Sequence, residues 1–574
     1  MPRRMNDASV DDARSESLLT RSRSRTVSSS SLTPPPGPAA GAVTGAEALL
    51  RSLCQAGVDV CFTNPGTSEM HTVAALDAVP QMRGILCLFE GVATGAADGF
   101  ARMTGRPAAS LLHLGPGLAN GVANLHNARR AHSPQVVVVG DHTDDHKALD
   151  SPLESDIIAL AATCSRAVRR IAGVDDVGPA VVAAVAASRA AWAPADDDPA
   201  HVATGTSGRV STLVVPADVS WSTGARDAAA VNGPATSVAS DESIVDAAVA
   251  LRSGRRAVLL LGGGALGEPG LRAASRIARA TGTRLLGELW PARRRQGAGV
   301  PAVEPLAYRS EAIARQLHGT ELLLLAGTGV PVPAFAYPGV DSRPAPHAAD
   351  RMVLGGRTDI DVEDALVRLA GLVADGVEPE PAAPRRPETG SGVLTPSNWA
   401  PVIGALLPPD AVISDESVTS GMVNLNETLS GAPAHDILGL TGLAIGQGLP
   451  VATGAAVACP DRPVICLQAD GSAMYTIQAL WTQARERLDV TTVILSNRSY
   501  AILRTELERV GAPHNGAATR LMNLDDPALD FVALATGMGV PASRATTVEE
   551  LYDQFRDAVA TPGPHLIEAV LAPA

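Results

Sequence analysis

The stretch Cys466-Leu467-Gln468-Ala469-Asp470-Gly471-Ser472 decides the fold of the C-terminal part of this 574-residue chain. The apolar residues from Val464 to Leu467 are typical of a buried strand, which would place Asp470 at the strand's tip. The turn that follows is small enough for a helix to begin there. The backbone amide of Gly471 and the hydroxyl of Ser472 can then approach a phosphate at the start of that helix.

A second apolar run brings further oxygen atoms to the same place. Val490 to Leu495 is followed closely by Asn497 and Ser499. If the two runs are neighbouring parallel strands, Asn497 lies at the same sheet edge as Asp470. One carboxylate, one amide oxygen and the main-chain carbonyl of Ser499 suit a hard cation that also holds phosphate oxygens. The sequence therefore predicts a site for Mg²⁺ and a diphosphate.

These two segments closely resemble the cofactor-binding signature of thiamine diphosphate (ThDP) enzymes, above all the acetolactate synthase and benzoylformate decarboxylase group. The resemblance covers Asp470 to Trp481 and Val493 to Tyr500. It implies that the predicted Mg²⁺ and diphosphate belong to bound ThDP. One residue departs from the family's Gly-Asp-Gly, because Ala469 stands in place of the first glycine. Its Cβ fits if Ala469 keeps a β conformation, whereas a positive φ would be costly.

A second part of the resemblance supplies the carboxyl group that activates ThDP. Ile85 to Phe89 is typical of a buried strand, and Glu90 and the glycine-rich stretch Gly91 to Arg102 follow it. This segment is similar to the family's glutamate-bearing strand and helix. It implies that Glu90 is catalytic, hydrogen-bonding the aminopyrimidine so that the cofactor can lose its C2 proton. Without the resemblance, a glutamate stabilised by the helix dipole is the simpler interpretation.

Two more segments are similar to parts of the cofactor site. Gly442 to Pro450 resembles the loop between the two rings of ThDP, which implies contacts from Leu443 and from Ile445, the residue that would wedge the cofactor into a bent shape. A glycine-rich strand-to-helix turn is the alternative interpretation. Ser417 and Thr419 follow a short apolar run, so their hydroxyls could face the diphosphate.

Two N-terminal loops imply substrate contacts. Phe62 to Glu69 is similar to the loop in which benzoylformate decarboxylase carries a hydroxyl toward the substrate carboxylate, which corresponds to Thr67. In Leu112 to Gly117, the Gly-Pro-Gly is that of acetolactate synthases, whereas His113 matches the proton-relaying histidine of benzoylformate decarboxylase. An imidazole ordinarily titrates near neutral pH and can shuttle a proton. A hydrogen-bonded loop histidine is the alternative. Other histidines nearby are not spaced as a metal triad: His71, His126, His132, His142 and His146.

Composition limits the classes of partner and compartment. The net charge of −14 argues against nucleic acid as a partner. Six cysteines are scattered without paired spacing, which favours reduced thiols in a cytoplasmic protein. No apolar run is long enough to span a bilayer, so no membrane contact is expected.

Helical patterns alternate with apolar strands along the chain, which predicts an α/β protein with three doubly wound parallel-sheet domains. Residues 1–40 are rich in Arg, Ser and Pro, which predicts a disordered tail. The resemblance implies a pyrimidine-binding domain at 41–220, a central domain at 240–373, a linker at 374–392 and a diphosphate-binding domain at 393–574.

The central domain contains a second candidate site for a cofactor. Ala257 to Leu261 is typical of a strand, and Gly262 to Gly267 fits a G-x-G-x-x-G dinucleotide fingerprint, with Glu288 after the next strand. Some ThDP enzymes bind FAD in this domain and others leave it empty. We treat bound FAD as the less favoured interpretation.

The leading functional hypothesis is a ThDP- and Mg²⁺-dependent carboligase similar to the catalytic subunit of acetolactate synthase, which converts pyruvate to 2-acetolactate. A benzoylformate-type decarboxylase that releases an aldehyde from a 2-oxo acid is the first alternative. A non-catalytic paralogue, acting as a scaffold or regulatory partner, is the second. Because the family commonly builds one site from two subunits, a homodimer or homotetramer is implied, and acetolactate synthases also allow a regulatory subunit.

Overall fold

The structure is a computed structural model that describes residues 42–190, 208–228, 237–356, 360–512 and 516–572. The tail predicted at residues 1–40 lies outside these ranges. Val43–Ala574 form a unit of their own, built on three β-sheets. Each sheet is introduced below with its strands in chain order.

The N-terminal sheet is entirely parallel. Its strands are β1 (Val60–Asn64), β2 (Arg83–Leu86), β3 (Ala108–Leu112), β4 (Gln135–Asp141), β5 (Ala167–Arg170) and β6 (Val210–Pro216). They lie side by side in the order β2-β1-β3-β4-β6-β5. The carboxyl ends of β1, β2 and β3 therefore meet at one edge.

Six short strands follow in the central segment. They are β7 (Ala257–Leu261), β8 (Arg284–Gly287), β9 (Arg294–Gln296), β10 (Glu304–Pro305), β11 (Leu322–Ala326) and β12 (Asp350–Gly355). Five of them form the parallel central sheet, in the order β10-β8-β7-β11-β12. The sixth, β9, leaves this segment and joins the third sheet.

The C-terminal sheet carries the metal signature. Its own strands are β13 (Val412–Glu416), β14 (His435–Leu438), β15 (Val464–Ala469), β16 (Val490–Ser496), β17 (Ala542–Ala545) and β18 (His565–Val570). The order is β17-β18-β16-β15-β13-β14-β9, with β9 antiparallel to β14 at one edge. The two apolar runs predicted as neighbouring strands are thus β15 and β16, paired in parallel.

Helices alternate with these strands. The N-terminal ones are α1 (Gly45–Gln55), α2 (Met70–Ala78), α3 (Glu90–Thr104), α4 (Leu114–Ala131), α5 (Asp144–Lys147), α6 (Ile157–Ala162), α7 (Val177–Arg189) and α8 (Ala217–Trp221). The central ones are α9 (Asp241–Leu251), α10 (Glu268–Thr281), α11 (Ser310–Gln316) and α12 (Val362–Val373). The C-terminal ones are α13 (Ala400–Leu406), α14 (Val418–Gly421), α15 (Leu425–Leu429), α16 (Gly448–Ala458), α17 (Asp470–Ala473), α18 (Ala479–Glu486), α19 (Ala501–Arg509), α20 (Ala517–Arg520), α21 (Phe531–Gly537) and α22 (Val548–Val559).

Both faces of every sheet are covered by apolar side chains, so the expected doubly wound α/β class is confirmed. Two details differ from the sequence prediction. The antiparallel β9 was not anticipated. The strand predicted at 85–89 is β2, Arg83–Leu86, and the chain leaves the sheet before Phe89 because that residue is the N-cap of α3. Among the described residues, no helix is both long and apolar enough to cross a membrane.

Helices α3 and α16 join the N-terminal and C-terminal sheets through one shared core. Their contact depends on glycine, because a Cβ on Gly454 would lie 1.8 Å from the carbonyl oxygen of Ala96. A buried ion pair within α3 lies at the same boundary, and its arginine also bonds across it. Arg102 Nη2 lies 2.6 Å from Asp98 Oδ2, and Arg102 Nη1 donates to the Gly439 carbonyl at 2.7 Å. Removing either charged partner would leave the other buried without compensation.

A buried histidine in β14 should make the stability of the folded protein sensitive to acid. Nδ1 of His435 donates to the Pro433 carbonyl at 2.7 Å, and Nε2 is buried without a hydrogen-bond partner. Burial, then the positive charges of Arg294 and Arg295, lowers the pKa of His435 to about 4, against the opposing charge of Asp436. The unfolded chain therefore takes up this proton at a higher pH than the folded protein. The stability contributed by neutral His435 is lost as pH falls from about 6.5 towards 4.

We expect His435→Asn to remove that dependence, since its amide can keep the hydrogen bond to Pro433. Between about pH 7 and pH 5 the free energy of unfolding of the variant should fall by about 2 kcal/mol less than that of the wild type. Urea unfolding at several pH values measures this. The matched control is His565→Asn, because the partly exposed His565 also donates Nδ1 to a carbonyl two residues earlier, Gly563. Equal pH dependence in wild type and His435→Asn would contradict the assignment.

Candidate active site

Three predicted residues gather at the carboxyl edge of the N-terminal sheet. Thr67 follows β1, Glu90 follows β2 and His113 follows β3, with β1 lying between the other two strands. Glu90 is the first residue of α3, and its carboxylate accepts a hydrogen bond from Asn120 Nδ2 at 3.0 Å. Gly117 lies between Glu90 and His113, since a Cβ there would be 3.1 Å from Glu90 Oε1 and 3.4 Å from His113 Cβ. This edge therefore presents a carboxylate and an imidazole side by side.

A buried carboxylate holds His113. Glu69 is 1% exposed, and its Oε2 lies 2.8 Å from His113 Nδ1. Oε1 of the same carboxylate accepts from Ser68 Oγ at 2.5 Å, and Oε2 also accepts from the Gly66 amide at 2.9 Å. The ring lies against Gly66, where a Cβ would come within 2.3 Å of it. With Nδ1 engaged by Glu69, Nε2 is the ring nitrogen that can exchange a proton with a ligand.

The predicted metal ligands meet at the carboxyl edge of the C-terminal sheet. Asp470 follows β15 and Asn497 follows β16. Asp470 Oδ2 accepts from the Arg498 amide at 2.6 Å, which fixes the Asp470 side chain against the end of β16. Asn497 Oδ1 accepts from the Ser499 amide at 2.9 Å. The structure thus brings together the carboxylate, the amide oxygen and the Ser499 backbone.

The donors at this edge fit Mg²⁺. Asp470 is 2% exposed, and burial raises its pKa to about 6 although the amides of Gly471 and Arg498 act in the opposite direction. A cation beside a buried carboxylate would favour the charged form. Within the ranges that the structure covers, no group of three or more His, Cys, Asp or Glu side chains is arranged to hold a metal. A Mg²⁺ ion here would be held by one carboxylate together with amide and carbonyl oxygens, which are ligands that Mg²⁺ accepts.

The alanine that departs from the family signature is accommodated. Ala469 has φ −73° and ψ 146°, which is ordinary extended backbone. Its Cβ therefore introduces no backbone strain. By contrast, a Cβ on the next residue but one, Gly471, would lie 2.4 Å from the ring of Tyr500.

Two hydroxyls predicted to face the diphosphate are turned into the protein. Ser417 Oγ donates to Asp415 Oδ1 at 2.5 Å, and Ser472 Oγ donates to the Ala469 carbonyl at 3.1 Å. Ser472 Oγ also accepts from Gln468 Nε2 at 2.7 Å, so both hydroxyl protons are already donated within the chain rather than to a phosphate. Thr419 lies in α14 and is partly exposed.

Leu443 and Ile445 lie in the loop Gly442–Gln447 before α16, here called the wedge loop, and both are partly exposed. The wedge loop rests on Glu416, the last residue of β13. This glutamate is 1% exposed, and burial raises its pKa to about 7 while the amides of Gly448 and Gly446 oppose that shift. The carboxylate is thus a buried acceptor placed directly beneath the loop.

Backbone strain is concentrated at these motifs. In the part of the chain that the structure describes, eight non-glycine residues have positive φ, and four of them lie in the segments described above. They are Leu114 (52°), Val418 (47°), Leu443 (59°) and Arg498 (55°). A β-branched residue such as Val418 is especially unfavourable in this region. Such strain commonly marks a ligand-binding site whose geometry is held by the surrounding structure.

Sequence reasoning missed Glu69, Glu416 and Asn120 as functional candidates. The two glutamates stand in motifs that the sequence did single out. Glu416 is the last residue of β13, so an acidic residue at the tip of a predicted parallel strand was the available signal there, whereas Glu69 lies in the turn that follows β1. Asn120 gave none, because it is an ordinary polar residue in the first turns of α4.

The predicted dinucleotide fingerprint forms a tight turn in the central sheet. Residues 263–266 make one 3₁₀ turn between β7 and α10, as the glycine spacing requires. Glu288 Oε1 accepts from Thr328 Oγ1 at 2.7 Å, and its carboxyl carbon would lie 2.6 Å from a Cβ on Gly262. A cleft of about 920 Å³ opens beside these residues. Bound FAD stays the less favoured interpretation of this turn.

All six cysteines lie in the described ranges and none is bonded to another. Burial raises the pKa of Cys61 and Cys87 to about 12, so these thiols stay protonated. They behave as core residues, as the scattered spacing predicted.

The chain is similar to known proteins over most of its length. Sequence models of the thiamine pyrophosphate enzyme N-terminal and C-terminal TPP binding domains match residues 43–160 and 431–569. The chain is 54% identical over 534 residues to a Mycobacterium tuberculosis protein whose name, acetolactate synthase large subunit IlvX, is itself provisional; the match covers 92% of this chain and 99% of the relative. It is 31% identical over 546 residues to benzoylformate decarboxylase of Pseudomonas aeruginosa, covering 89% of this chain and 96% of that enzyme.

A solved structure shares the whole fold. The thiamine diphosphate-dependent 4-hydroxybenzoylformate decarboxylase of Rhodococcus jostii RHA1 has a TM-score of 0.78 at 24% identity, covering 93% of this chain and 100% of the other. With family matches at both ends and relatives aligned over nearly its full length, the chain belongs to the thiamine diphosphate (thiamine pyrophosphate) enzyme family, among its 2-oxo acid decarboxylases and carboligases.

Proposed function

We propose that this protein is a ThDP- and Mg²⁺-dependent decarboxylase that releases an aldehyde from a 2-oxo acid. The observation that carries the proposal is the imidazole of His113, held through Nδ1 by the buried carboxylate of Glu69 at 2.8 Å. A positioned imidazole is suited to deliver the proton that completes an aldehyde. The relative named benzoylformate decarboxylase, at 31% identity, supports the same reaction class.

Different residues of the chain would hold the metal and contact the cofactor. Asp470, Asn497 and the Ser499 carbonyl would hold Mg²⁺, and the wedge loop would contact the cofactor's rings. Bound ThDP would supply the nucleophilic carbon that attacks the ketone and accepts electrons as CO₂ leaves.

The remaining steps are proton transfers and substrate contacts. Glu90 would hold a proton at its carboxyl group, shared with the aminopyrimidine, and His113 Nε2 would give a proton to the product carbon. Thr67, which is exposed beside His113, would hydrogen-bond the substrate carboxylate.

Carboligation to 2-acetolactate is the second candidate. It is favoured by Gly115-Pro116-Gly117 at the start of α4 and by the 54% identity to the relative with the provisional acetolactate synthase name. The two reactions share every step up to CO₂ release. They differ in what then bonds to the carbon that lost CO₂: a proton gives the aldehyde, whereas a second 2-oxo acid gives the ligation product. A proton donor held beside Glu90 favours the aldehyde.

The products decide between these candidates. Purified protein with ThDP and Mg²⁺ should convert a 2-oxo acid, offered as pyruvate and as benzoylformate in separate reactions, to CO₂ and the matching aldehyde. We expect no acetolactate from pyruvate, and NMR of the reaction mixture identifies each product. Acetolactate as the main product would replace the decarboxylase proposal with the ligase.

Calorimetry of ThDP uptake tests the third hypothesis, a non-catalytic paralogue. We expect tight uptake of ThDP in the presence of Mg²⁺, since Asp470 and Asn497 would hold the metal and the wedge loop would contact the cofactor. Absence of uptake, together with absence of product from both acids, would favour a non-catalytic scaffold instead.

We also propose that the active site is shared between two copies of the chain. Apolar side chains beside both halves of the site are exposed: Met70 (44%) and Leu88 (45%) near Glu90, and Met474 (36%) and Tyr475 (53%) after Asp470. A second copy would cover them and bring Glu90 to the metal edge of its partner.

A further inference from the structure

The buried carboxylate of Glu416 grips the wedge loop at two points. Its Oε1 accepts from the Gly446 amide at 2.7 Å and its Oε2 accepts from the Gly448 amide at 2.5 Å. The two oxygens therefore hold the backbone on either side of Gln447. Because α16 begins at Gly448, the negative charge also lies at the positive end of an 11-residue helix.

Glycine is required at both gripped positions, for different reasons. Gly446 has φ +93°, and a Cβ there would lie 2.5 Å from Tyr475 Cβ. A Cβ on Gly448 would lie 2.2 Å from Gln468 Oε1 and 3.0 Å from Glu416 Oε2. Backbone amides that converge in this way form a cradle for an anion. Here the anion is a side chain of the protein itself.

Side chains from α4 hold the opposite side of the loop. Asn127 Nδ2 donates to the Ala444 carbonyl at 2.7 Å, and Asn127 Oδ1 accepts from the Ala444 amide at 3.2 Å. Asn124 Nδ2 donates both to the Gly446 carbonyl at 3.2 Å and to the Gly91 carbonyl, in the first turn of α3, at 2.8 Å. Glu416 and the two asparagines thus hold the loop backbone at Ala444, Gly446 and Gly448, directly after Leu443 with its positive φ.

We propose that Glu416 is a positioning residue that fixes the wedge loop so that Leu443 and Ile445 present their side chains to the cofactor. Asn124 bonds both the wedge loop and the first turn of α3, so the same contacts also fix the position of the loop relative to that helix. The identity of the ligand rests on the proposed function, whereas the clamp itself rests on contacts within the chain.

Hydrogen exchange of the cofactor-free protein tests the clamp directly. In Glu416→Gln one carboxylate oxygen becomes an amide NH₂, which cannot accept from a backbone N–H. We expect amides in residues 442–448 to exchange at least about tenfold faster, and the dissociation constant of ThDP, measured by calorimetry with Mg²⁺, to rise by about tenfold. Helix content, measured by circular dichroism, should be unchanged.

Glu568→Gln is the matched control. Glu568 is a buried glutamate in β18 of the same sheet, paired with Arg544 Nε at 2.9 Å, and it makes no hydrogen bond to the wedge loop. Its variant should leave both the exchange of residues 442–448 and the ThDP affinity at wild-type values. If Glu416→Gln does not fold, Glu416→Asp carries the same expectation, because its shorter side chain cannot reach both amides.

The outcomes separate the clamp from the proposed function. Wild-type exchange rates at 442–448 in the folded variant would overturn the clamp. Faster exchange with an unchanged ThDP affinity would overturn the positioning role. Faster exchange in a protein whose wild type takes up no ThDP would leave the clamp intact, overturn its role towards the cofactor and remove the proposed function.

Discussion

Replacing Glu90 by glutamine should lower kcat of the ThDP-loaded protein by about 10²- to 10⁴-fold, the usual contribution of a positioned acid–base group. Glutamine is nearly isosteric and can still pair with Asn120, which now donates to the carboxylate at 3.0 Å. It cannot take up or release a proton in the working pH range. We therefore expect the fold and the dissociation constant of ThDP to change little while turnover collapses. Steady-state kinetics with the preferred 2-oxo acid, together with calorimetry of ThDP uptake, measures both effects.

Glu47→Gln is the control for this variant. Glu47 also lies in the first turn of a helix, α1, and its carboxylate pairs with Arg51 at 3.4 Å. Its replacement should leave kcat unchanged. Wild-type turnover in Glu90→Gln would falsify the catalytic assignment and return Glu90 to the simpler interpretation, a glutamate stabilised by a helix dipole.

Strands bounded by clear turn residues could be predicted from the sequence. The strand expected at 257–261 is β7 with the same bounds, and the runs before Asp470 and Asn497 are β15 and β16. Each is a short apolar run that ends at a glycine or polar turn, so the local pattern and the tertiary environment agree. Their parallel pairing then places Asp470 and Asn497 together without further information.

The strand β9 could not be predicted in this way. It contains three polar residues, Arg294 to Gln296, and has no apolar alternation. It becomes a strand because its backbone pairs with β14, while Arg294 donates to Asn426 Oδ1 at 2.6 Å. Both interactions are tertiary and join residues more than a hundred positions apart, so no local pattern reveals them.

The sequence also could not show which acidic residues are buried at the site. Glu69 and Glu416 stand beside Thr67 and Ser417, whose hydroxyls were the expected ligand contacts. Which neighbour points inward depends on the backbone turn, and on glycines such as Gly66 and Gly448 that permit close approach. In both places the structure shows a carboxylate holding a functional element, His113 in one case and the wedge loop in the other.

Mixing two inactive variants tests whether the active site is shared between two chains. Asp470→Asn should abolish tight ThDP and Mg²⁺ uptake, because the buried carboxylate, 2% exposed, is the only charged member of the predicted ligand set. Glu90→Gln should bind ThDP but turn over slowly. If each site takes Glu90 from one copy and Asp470 from the other, a hybrid dimer has one site with both changes and one site with neither.

We expect random assortment of equal amounts of Glu90→Gln and Asp470→Asn to restore about one quarter of wild-type activity, since half of the dimers are hybrids and each hybrid has one intact site of two. Differently tagged copies, exchanged by mild unfolding and refolding and isolated by sequential affinity steps, allow the hybrid itself to be assayed. Mixing Glu90→Gln with Glu90→Ala is the matched control and should restore nothing. A purified hybrid without activity would mean that Glu90 and Asp470 of the same chain serve one site. The exposed apolar side chains beside the two sheet edges would then need another explanation.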